Sequence, residues 1–306
     1  MARDRVEGAA ALRCGIESAK PTGIGSHLVS AWVSTAGGLI ASEDASVSIF
    51  DHGVTVGDGV FETILVRGGQ PIALTRHLRR LERSCAILGL TLPARDALAD
   101  AVDAVIAAGE RATLVGRLRI TVTGGRGPLA SDRGGQEPTW IVALAETDPW
   151  PETTTAIVVP WRRNEYSPVT GAKTTSYAEN VVAMHWARDK GYSEGIFLNT
   201  QGHVCEGTST NIFMVMQGSV FTPPLTSGCL PGITRELVLE WTDAQERNLT
   251  EAELLDAEEV FLTSSTRDVH PVVRLGASWE RDGVGPVTAA TRHVFSAKIQ
   301  NNPDPA

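Results

Sequence analysis

Short runs of β-branched and apolar residues, separated by glycine turns, dominate the sequence from about residue 29 onward. Such runs are typical of antiparallel strands, and they predict strands at 31–34, 47–50 and 60–66. Apolar positions then recur at helical spacing until Gly89, a candidate C-cap, and a second helix is predicted over about 94–109. Two more strands, at 116–123 and 139–144, complete a unit of the α+β class.

A polar stretch with two prolines, 146–153, follows this unit and predicts an interdomain linker. A second strand-rich unit begins after it. Strands are predicted at 155–160, near 195–199, at 211–216 and at 258–264, and helices at 176–190 and from about 233 and 288. We therefore expect a disordered extension at 1–28, a small domain at 29–146, a linker at 147–153 and a larger domain at 154–306.

Composition narrows the range of functions. The chain has 306 residues and a formal net charge of -9, so it carries no overall basic field for nucleic acid or an anionic membrane. Its four cysteines are far apart without a CxxC pair, which disfavours a zinc site and a disulfide framework. These features suit a cytoplasmic protein, in a reducing compartment, and disfavour nucleic acid, a membrane and a metal as partners.

Lysine is scarce in this chain. It occurs only at Lys20, Lys173, Lys190 and Lys298. Lys173 alone lies among small residues, between a proline-bearing loop and a helix start, where a bulky group can approach it. A desolvated lysine can act as a nucleophile and form a Schiff base with an aldehyde. The alternative is a lysine that merely neighbours a helix cap.

Four further motifs are candidates for binding. Glu206 lies between an apolar strand and a loop of small hydroxyl residues, where it accepts a proton or only caps a turn. The helix start at 231–234 and the hydroxyl run at 263–266 suit a phosphate group, although ordinary helices and turns also look like this. Arg126, in a glycine-rich loop, can grip a carboxylate or sit at a solvated hairpin tip.

Taken in order, these motifs resemble the class IV aminotransferase family over about residues 29–300. The resemblance rests on the segments 50–53, 57–63, 77–81, 173–177, 206–211, 230–235 and 263–266. That family comprises pyridoxal-phosphate enzymes of fold type IV. It implies a small N-terminal α/β sandwich, a larger C-terminal β-barrel-like domain with helices, and a homodimer in which a partner loop completes each site.

The resemblance also implies roles for individual residues. Lys173 matches the lysine that carries pyridoxal 5'-phosphate and later moves protons. Glu206 matches the carboxylate that binds the pyridine nitrogen of the cofactor, and Tyr177 matches the tyrosine that binds its phenolic oxygen. Arg80 matches the phosphate-binding arginine, and Leu230 would pack on the ring face. Other implied cofactor contacts are Gly232, Ile233, Thr234, Ser264 and Ser265, and implied substrate contacts are Phe61, Thr63, Arg126 and Arg267.

Two reactions remain open within the family. The glycine-rich segment 57–63 looks more like the lyase and D-amino acid branches than like the branched-chain enzymes. The glycine-arginine loop at 121–128 is similar to a loop of 4-amino-4-deoxychorismate lyases, which release pyruvate and 4-aminobenzoate for folate synthesis. The segments 222–227 and 230–235 look like branched-chain aminotransferases, and D-amino acid and R-selective amine transaminases are also possible. We predict the lyase, with the aminotransferase as alternative. The acid that protonates the leaving group is Thr63, His52 or Arg267.

Overall fold

The computed structural model describes residues 28–34, 37–109, 115–135 and 137–306. Apart from Leu28, the extension predicted at 1–28 lies outside the described residues. Within them the chain forms two sheets and seven α-helices. None of these helices has the length and apolar composition needed to cross a lipid bilayer.

The first half of the chain builds a sheet of six strands. In chain order they are β1 (Leu28–Val33), β2 (Gly38–Ile40), β3 (Gly59–Arg67), β4 (Gln70–Pro71), β5 (Val115–Thr123) and β6 (Thr139–Glu146). They lie in the order β2-β1-β6-β5-β3-β4, and each strand is antiparallel to its neighbours. Alternation along β5 buries Leu118, Ile120 and Val122 completely. The intervening arginines, Arg117 and Arg119, therefore point to the opposite face.

Two long helices cover the apolar face of this sheet. The helices of this half are α1 (His52–Thr55), α2 (Leu74–Leu88) and α3 (Arg95–Ala108). Leu78, Leu81 and Cys85 of α2 pack with residues of α3 and β5 in one core. The helix ends at Gly89, whose φ of 64° is the left-handed conformation that glycine adopts readily. This confirms the predicted C-cap.

The second half builds a sheet of nine strands. They are β7 (Thr154–Arg163), β8 (Glu194–Asn199), β9 (Val204–Gly207), β10 (Asn211–Met216), β11 (Ser219–Thr222), β12 (Gln245–Glu246), β13 (Glu259–Ser264), β14 (Asp268–Leu275) and β15 (Trp279–Glu280). The path is β12-β11-β10-β13-β14-β7-β8-β9, with β15 beside β14. Strand β7 is parallel to both of its neighbours, β14 and β8. Its helices are α4 (Ala178–Asp189), α5 (Ile233–Trp241), α6 (Glu251–Leu255) and α7 (Pro286–Asn301).

The two halves share apolar contacts. Leu65 and Ile72 belong to the first half, yet they pack in the same core cluster as Phe213 and Phe261 of the second sheet. The two phenylalanine rings stack with their centroids 4.8 Å apart. Arg67 adds an ion pair with Asp268 at 3.0 Å. The segment 147–153, predicted as a linker, joins β6 to β7.

One predicted strand is wrong. Residues 47–50 form coil and a turn, because Asp51 N–H donates to Ser48 O and Asp51 caps the short helix α1. The side chains of Ile49 and Phe50 are exposed, so their apolar character does not place them in a sheet. Seven strands lie beyond the predicted set: β2, β4, β9, β11, β12, β14 and β15. Two of these contain a residue with low strand propensity, Glu206 in β9 and Pro271 in β14, which conceals them from the sequence pattern.

Candidate active site

A cavity of about 330 Å³ is lined by residues of both sheets. It collects every residue predicted to bind cofactor or substrate except Arg126. Those lining residues are Phe61, Thr63, Arg80, Lys173, Tyr177, Glu206, Leu230, Gly232, Ile233, Thr234, Ser264, Ser265 and Arg267. Residues far apart in sequence thus meet at one place, between β3, α2 and the ends of β9 and β13.

Lys173 is held through its own backbone. Its N–H donates to Ser84 Oγ at 3.1 Å, and its carbonyl accepts from Phe61 N–H at 2.9 Å. The side chain is therefore aimed by α2 on one side and β3 on the other. Its Nζ lies 3.4 Å from Tyr177 Oη and 4.4 Å from the centre of the Phe61 ring. An amine held beside a phenol and an aromatic face is suited to exchange a proton there.

Glu206 is buried and faces the same cavity from β9. Its Oε2 accepts from Leu230 N–H at 2.9 Å, and its Oε1 lies 3.3 Å from Arg163 Nε. Burial raises the pKa of Glu206, while the Arg163 guanidinium and the Leu230 N–H act against that rise. Such a carboxylate can accept a proton or a hydrogen bond from a ring nitrogen.

Arg163 is a residue that sequence reasoning missed. It lies at the end of β7, and its guanidinium packs on the Phe197 ring at 4.4 Å. Nothing in the local pattern separates it from its exposed neighbour Arg162. It reaches Glu206 because β7 pairs with β8, and β8 in turn pairs with β9.

The opposite end of the cavity offers donors for a phosphate. Helix α5 begins after Gly232 without a side-chain cap, so the N–H groups of its first turn are available to an anion. A Cβ at Gly232 would collide with the Asn211 Oδ1, so this position needs glycine. The hydroxyls of Thr210 and Thr263, two residues that line the cavity, are buried without a hydrogen-bond partner among the described residues. These features fit the phosphate group of pyridoxal phosphate.

Arg80 is fixed at this end by a buried carboxylate. Its Nε and Nη2 donate to both oxygens of Glu62, at 2.8 and 2.6 Å, and its Nη1 donates to Pro231 O at 3.0 Å. Glu62 also binds Nδ1 of His77 at 2.6 Å, and the other ring nitrogen of His77 lies 3.2 Å from Ser265 Oγ. Burial lowers the pKa of His77 although Glu62 acts to raise it, which favours the neutral ring.

Four arginines line the rest of the cavity. They are Arg117 and Arg119 on β5, Arg188 on α4, and Arg267 in the turn after β13. Only Arg267 was among the residues predicted from the sequence. It pairs with the buried Glu194 at 3.1 Å and stacks on the Trp150 ring at 4.0 Å.

Two predicted residues lie away from this cavity. Arg126 is exposed and pairs with Asp51 in an isolated β-bridge, so its own chain does not bring it to the lysine. His52 is fully buried, and its Nε2 donates to Pro128 O at 3.0 Å. Of the three candidates for the acid, Thr63 and Arg267 line the cavity and His52 does not.

Comparison with known proteins agrees with this geometry. The family model for class IV amino-transferases matches residues 59–275. A putative branched-chain-amino-acid aminotransferase of Methanocaldococcus jannaschii is 31% identical over 274 residues, which cover 85% of this chain and 93% of that protein. The aminodeoxychorismate lyase of Bacillus subtilis is 28% identical over 280 residues, 87% of this chain and 94% of the lyase.

A solved structure gives the same result at the level of the fold. The branched-chain aminotransferase of Thermoproteus uzoniensis with norvaline superposes with a TM-score of 0.82 at 28% identity, covering 90% of this chain and 96% of that one. Fold and site together define a pyridoxal-phosphate enzyme of fold type IV. The chain belongs to the class IV aminotransferase family, whose members use pyridoxal 5'-phosphate. The family, the cofactor and the fold class predicted from the motifs are confirmed.

Proposed function

We propose that this enzyme is a 4-amino-4-deoxychorismate lyase that releases pyruvate and 4-aminobenzoate, with Lys173 as its catalytic residue. The observation that supports the choice of substrate is the charge of the cavity. Arginines line the part of the cavity beyond Lys173 and Tyr177. Among the described residues that line the cavity, Glu206 is the one acidic side chain. An anionic substrate suits such a wall better than an aliphatic side chain does.

The cofactor would be held by residues at both ends of the cavity. Ser265, Thr234 and Arg80 would bind its phosphate, and Glu206 would keep its ring nitrogen protonated. When bound, pyridoxal phosphate supplies an electron-accepting ring that stabilises a carbanion. The proton transfers of the reaction are carried out by side chains of the protein.

Lys173 is the proton carrier in the proposed reaction. Its Nζ removes the proton from the ring carbon that bears nitrogen, and Tyr177 Oη, 3.4 Å away, orients the amine for this step. The bond between the ring and the enolpyruvyl oxygen then breaks. That oxygen leaves with a proton delivered by an acid in the cavity, for which Thr63 and Arg267 are the candidates in place. The products are pyruvate and an aromatic amine.

An aminotransferase is the second candidate, favoured by the 31% identity to the putative branched-chain enzyme of M. jannaschii. In that reaction Lys173 moves a proton between the substrate carbon and the cofactor, and an oxo acid accepts the amine. The same residues serve both reactions, so the discriminating feature is the requirement for an oxo acid.

The test is to incubate the holoenzyme with aminodeoxychorismate, with and without 2-oxoglutarate, and to follow fluorescent 4-aminobenzoate and pyruvate. The lyase forms both products without an oxo acid. New amino acid formed only in the presence of 2-oxoglutarate, with no aminobenzoate, would show the aminotransferase instead.

Lys173→Ala is expected to abolish turnover and the visible absorbance of the lysine-bound cofactor, because no other lysine lines the cavity within the described residues. Lys190→Ala is the matched control. Lys190 is exposed at the end of α4, and its loss is expected to leave both readouts unchanged. An absorbing, active Lys173→Ala protein would overturn the assignment.

A further inference from the structure

A buried histidine connects the phosphate end of the cavity to a buried carboxylate. His77, on α2, is 1% exposed, and its Nδ1 lies 2.6 Å from Glu62 Oε2 while its Nε2 lies 3.2 Å from Ser265 Oγ. Ser265 lines the cavity, whereas Glu62 and His77 do not belong to the lining. A change in the His77 ring is therefore passed to a bound phosphate through the Ser265 hydroxyl.

The hydrogen bond between His77 and Glu62 has a fixed direction. Although burial acts to raise the pKa of Glu62, the charges and hydrogen bonds of Arg80 and His77 lower it to about 2. An ionised carboxylate can only accept, so His77 Nδ1 must carry a hydrogen and donate it to Glu62. When the ring is neutral, its Nε2 is then unprotonated and can itself only accept.

The protonation of His77 decides what Ser265 can offer to the cavity. Beside a neutral ring the Ser265 hydroxyl donates to Nε2, and only the lone pairs of its Oγ remain for a ligand. Beside a charged ring Nε2 donates to Oγ, and the hydroxyl hydrogen is free to point at a ligand. A phosphate with two negative charges accepts hydrogen bonds and has none to donate, so it requires the second arrangement.

The charges that face His77 favour the neutral ring in the absence of an anion. Burial, the largest influence, lowers the pKa of His77, and Arg80 on the same helix and Lys173 in the loop before α4 act in the same direction. Glu62 on β3 acts to raise the pKa without overcoming them. A dianion held at Ser265 would stabilise a positive ring nearby and would therefore raise the pKa of His77.

We propose that His77 is a positioning residue that takes up a proton when the cofactor phosphate binds, and that this proton makes Ser265 a hydrogen-bond donor to the phosphate. His77 acts through Ser265 and is not itself a contact of the cofactor. The proposal concerns how the cofactor is held, so it applies to a lyase and to an aminotransferase alike. It requires the phosphate end to bind dianions more tightly as the pH falls.

The first test uses sulfate, a tetrahedral dianion that carries no proton of its own near neutral pH. Its binding to the whole chain, freed of cofactor, is measured by calorimetry in buffers of different ionisation enthalpy. We expect uptake of about one proton per site, and an affinity that falls about ten-fold per unit rise in pH between the pKa values of the free and the bound ring. Sulfate binding without proton uptake would overturn the proposal.

Two pairs of variants assign the proton. His77→Gln keeps a polar side chain that cannot titrate and should abolish the uptake, whereas His185→Gln, at an exposed histidine of α4 outside the cavity, should keep it. Ser265→Ala should weaken sulfate binding about ten-fold or more and reduce its pH dependence, whereas Ser265→Thr retains the hydroxyl and should preserve both. Uptake that survives His77→Gln, or a pH dependence unchanged in Ser265→Ala, would refute the role of His77.

Nitrogen-15 NMR observes the His77 ring directly, with its signals assigned by their loss in His77→Gln. We expect Nε2 to be unprotonated in the cofactor-free enzyme and protonated in the holoenzyme at the same pH. A holoenzyme with an unprotonated Nε2 would contradict the proposal. If His77→Gln does not fold, the two Ser265 variants still decide, because both retain the buried ring. Neither readout depends on turnover, so absence of lyase activity would leave the result intact.

Discussion

At the residue scale, Glu62 controls the phosphate end although it does not line the cavity itself. It is fully buried and binds both Arg80 and His77. Burial alone would raise the pKa of Glu62, but the charges and hydrogen bonds of Arg80 and His77 outweigh burial and lower it to about 2. Glu62 therefore stays ionised at every pH at which the protein is expected to be folded, and Arg80 keeps its orientation.

Glu62→Gln is expected to lower the free energy of unfolding at pH 7 by about 3 kcal/mol, because it leaves the buried Arg80 charge without a partner. It should also weaken retention of pyridoxal phosphate. Chemical denaturation and cofactor dialysis measure the two effects. The control is Glu240→Gln, which breaks the surface pair with Arg76 and should cost less than about 1 kcal/mol.

The dependence of the free energy of unfolding on pH below 5 gives an independent test of the Glu62 carboxylate. A pKa lowered from 4.5 to about 2 contributes stability that is complete above pH 4.5 and is lost as the pH falls toward 2. The difference in stability between wild type and Glu62→Gln should accordingly narrow over this range. A constant difference from pH 5 to pH 2.5 would contradict the ionised pair.

At the scale of elements, α2 is the piece that links the phosphate end to the lysine. His77, Arg80 and Ser84 recur at helical spacing along one stripe and reach Ser265, Pro231 and Lys173 respectively. The start of α2 lacks a cap of its own, because Ala73 occupies the N-cap position in the left-handed region with φ 54°. Asp304, in the segment after α7, takes the place of this cap. Its carboxylate accepts hydrogen bonds from Thr75 N–H at 2.9 Å and from the Thr75 hydroxyl at 2.7 Å.

Asp304→Ala is expected to destabilise the protein by about 1 kcal/mol, the usual cost of a lost N-cap, and to weaken cofactor binding through movement of α2. Thermal unfolding of apo and holo protein measures both. Asp282→Ala, at an exposed aspartate with no hydrogen bond or ion pair to the described residues, should change neither. Destabilisation of the apo form with unchanged cofactor affinity would show that α2 does not transmit the effect to the site.

The local sequence pattern predicts many of the helices and strands and the residues at the cofactor end of the cavity. It does not predict residues whose position depends on how the two sheets pack. Lys173, Glu206 and Gly232 belong to short motifs whose residue types have a chemical reason. Arg117 and Arg119 alternate with buried residues of β5. This alternation indicates that one face of the strand is apolar, but it does not indicate which residues lie against the face that carries the arginines. Arg188 occupies an exposed helix position of the kind that is usually only solvated. Their role depends on how the second sheet meets the first, which no local pattern contains.

At the scale of the molecule, five large apolar side chains are exposed between the end of β7 and the first turns of α4. We call Trp161, Tyr166, Val169, Val181 and Val182 the α4 patch; all five are at least 40% exposed. Large exposed apolar side chains gathered in one region are typical of a protein interface. One member of the patch, Val169, lines a second cavity that Lys173 and Tyr177 also line.

We therefore predict a homodimer formed through the α4 patch, and Val182→Glu is expected to shift it to monomer because the charge would be buried at the interface. Sedimentation velocity measures the state. Leu255→Glu, at an exposed position on α6, is the control and should remain dimeric. A wild-type monomer with full activity would refute the homodimer.

The order of strands in the second sheet has a consequence for how the enzyme comes into being. Strand β7 pairs on one side with β8 and on the other with β14, whose first paired residue, Val272, lies more than a hundred positions after Thr154. Contacts between such distant segments close slowly, since the chain must give up much of its freedom before they form. Lys173 is synthesised well before β13 and β14 deliver Ser265 and Arg267. The cavity can therefore be completed only after β13 and β14 have joined the sheet, because residues at their junction line it.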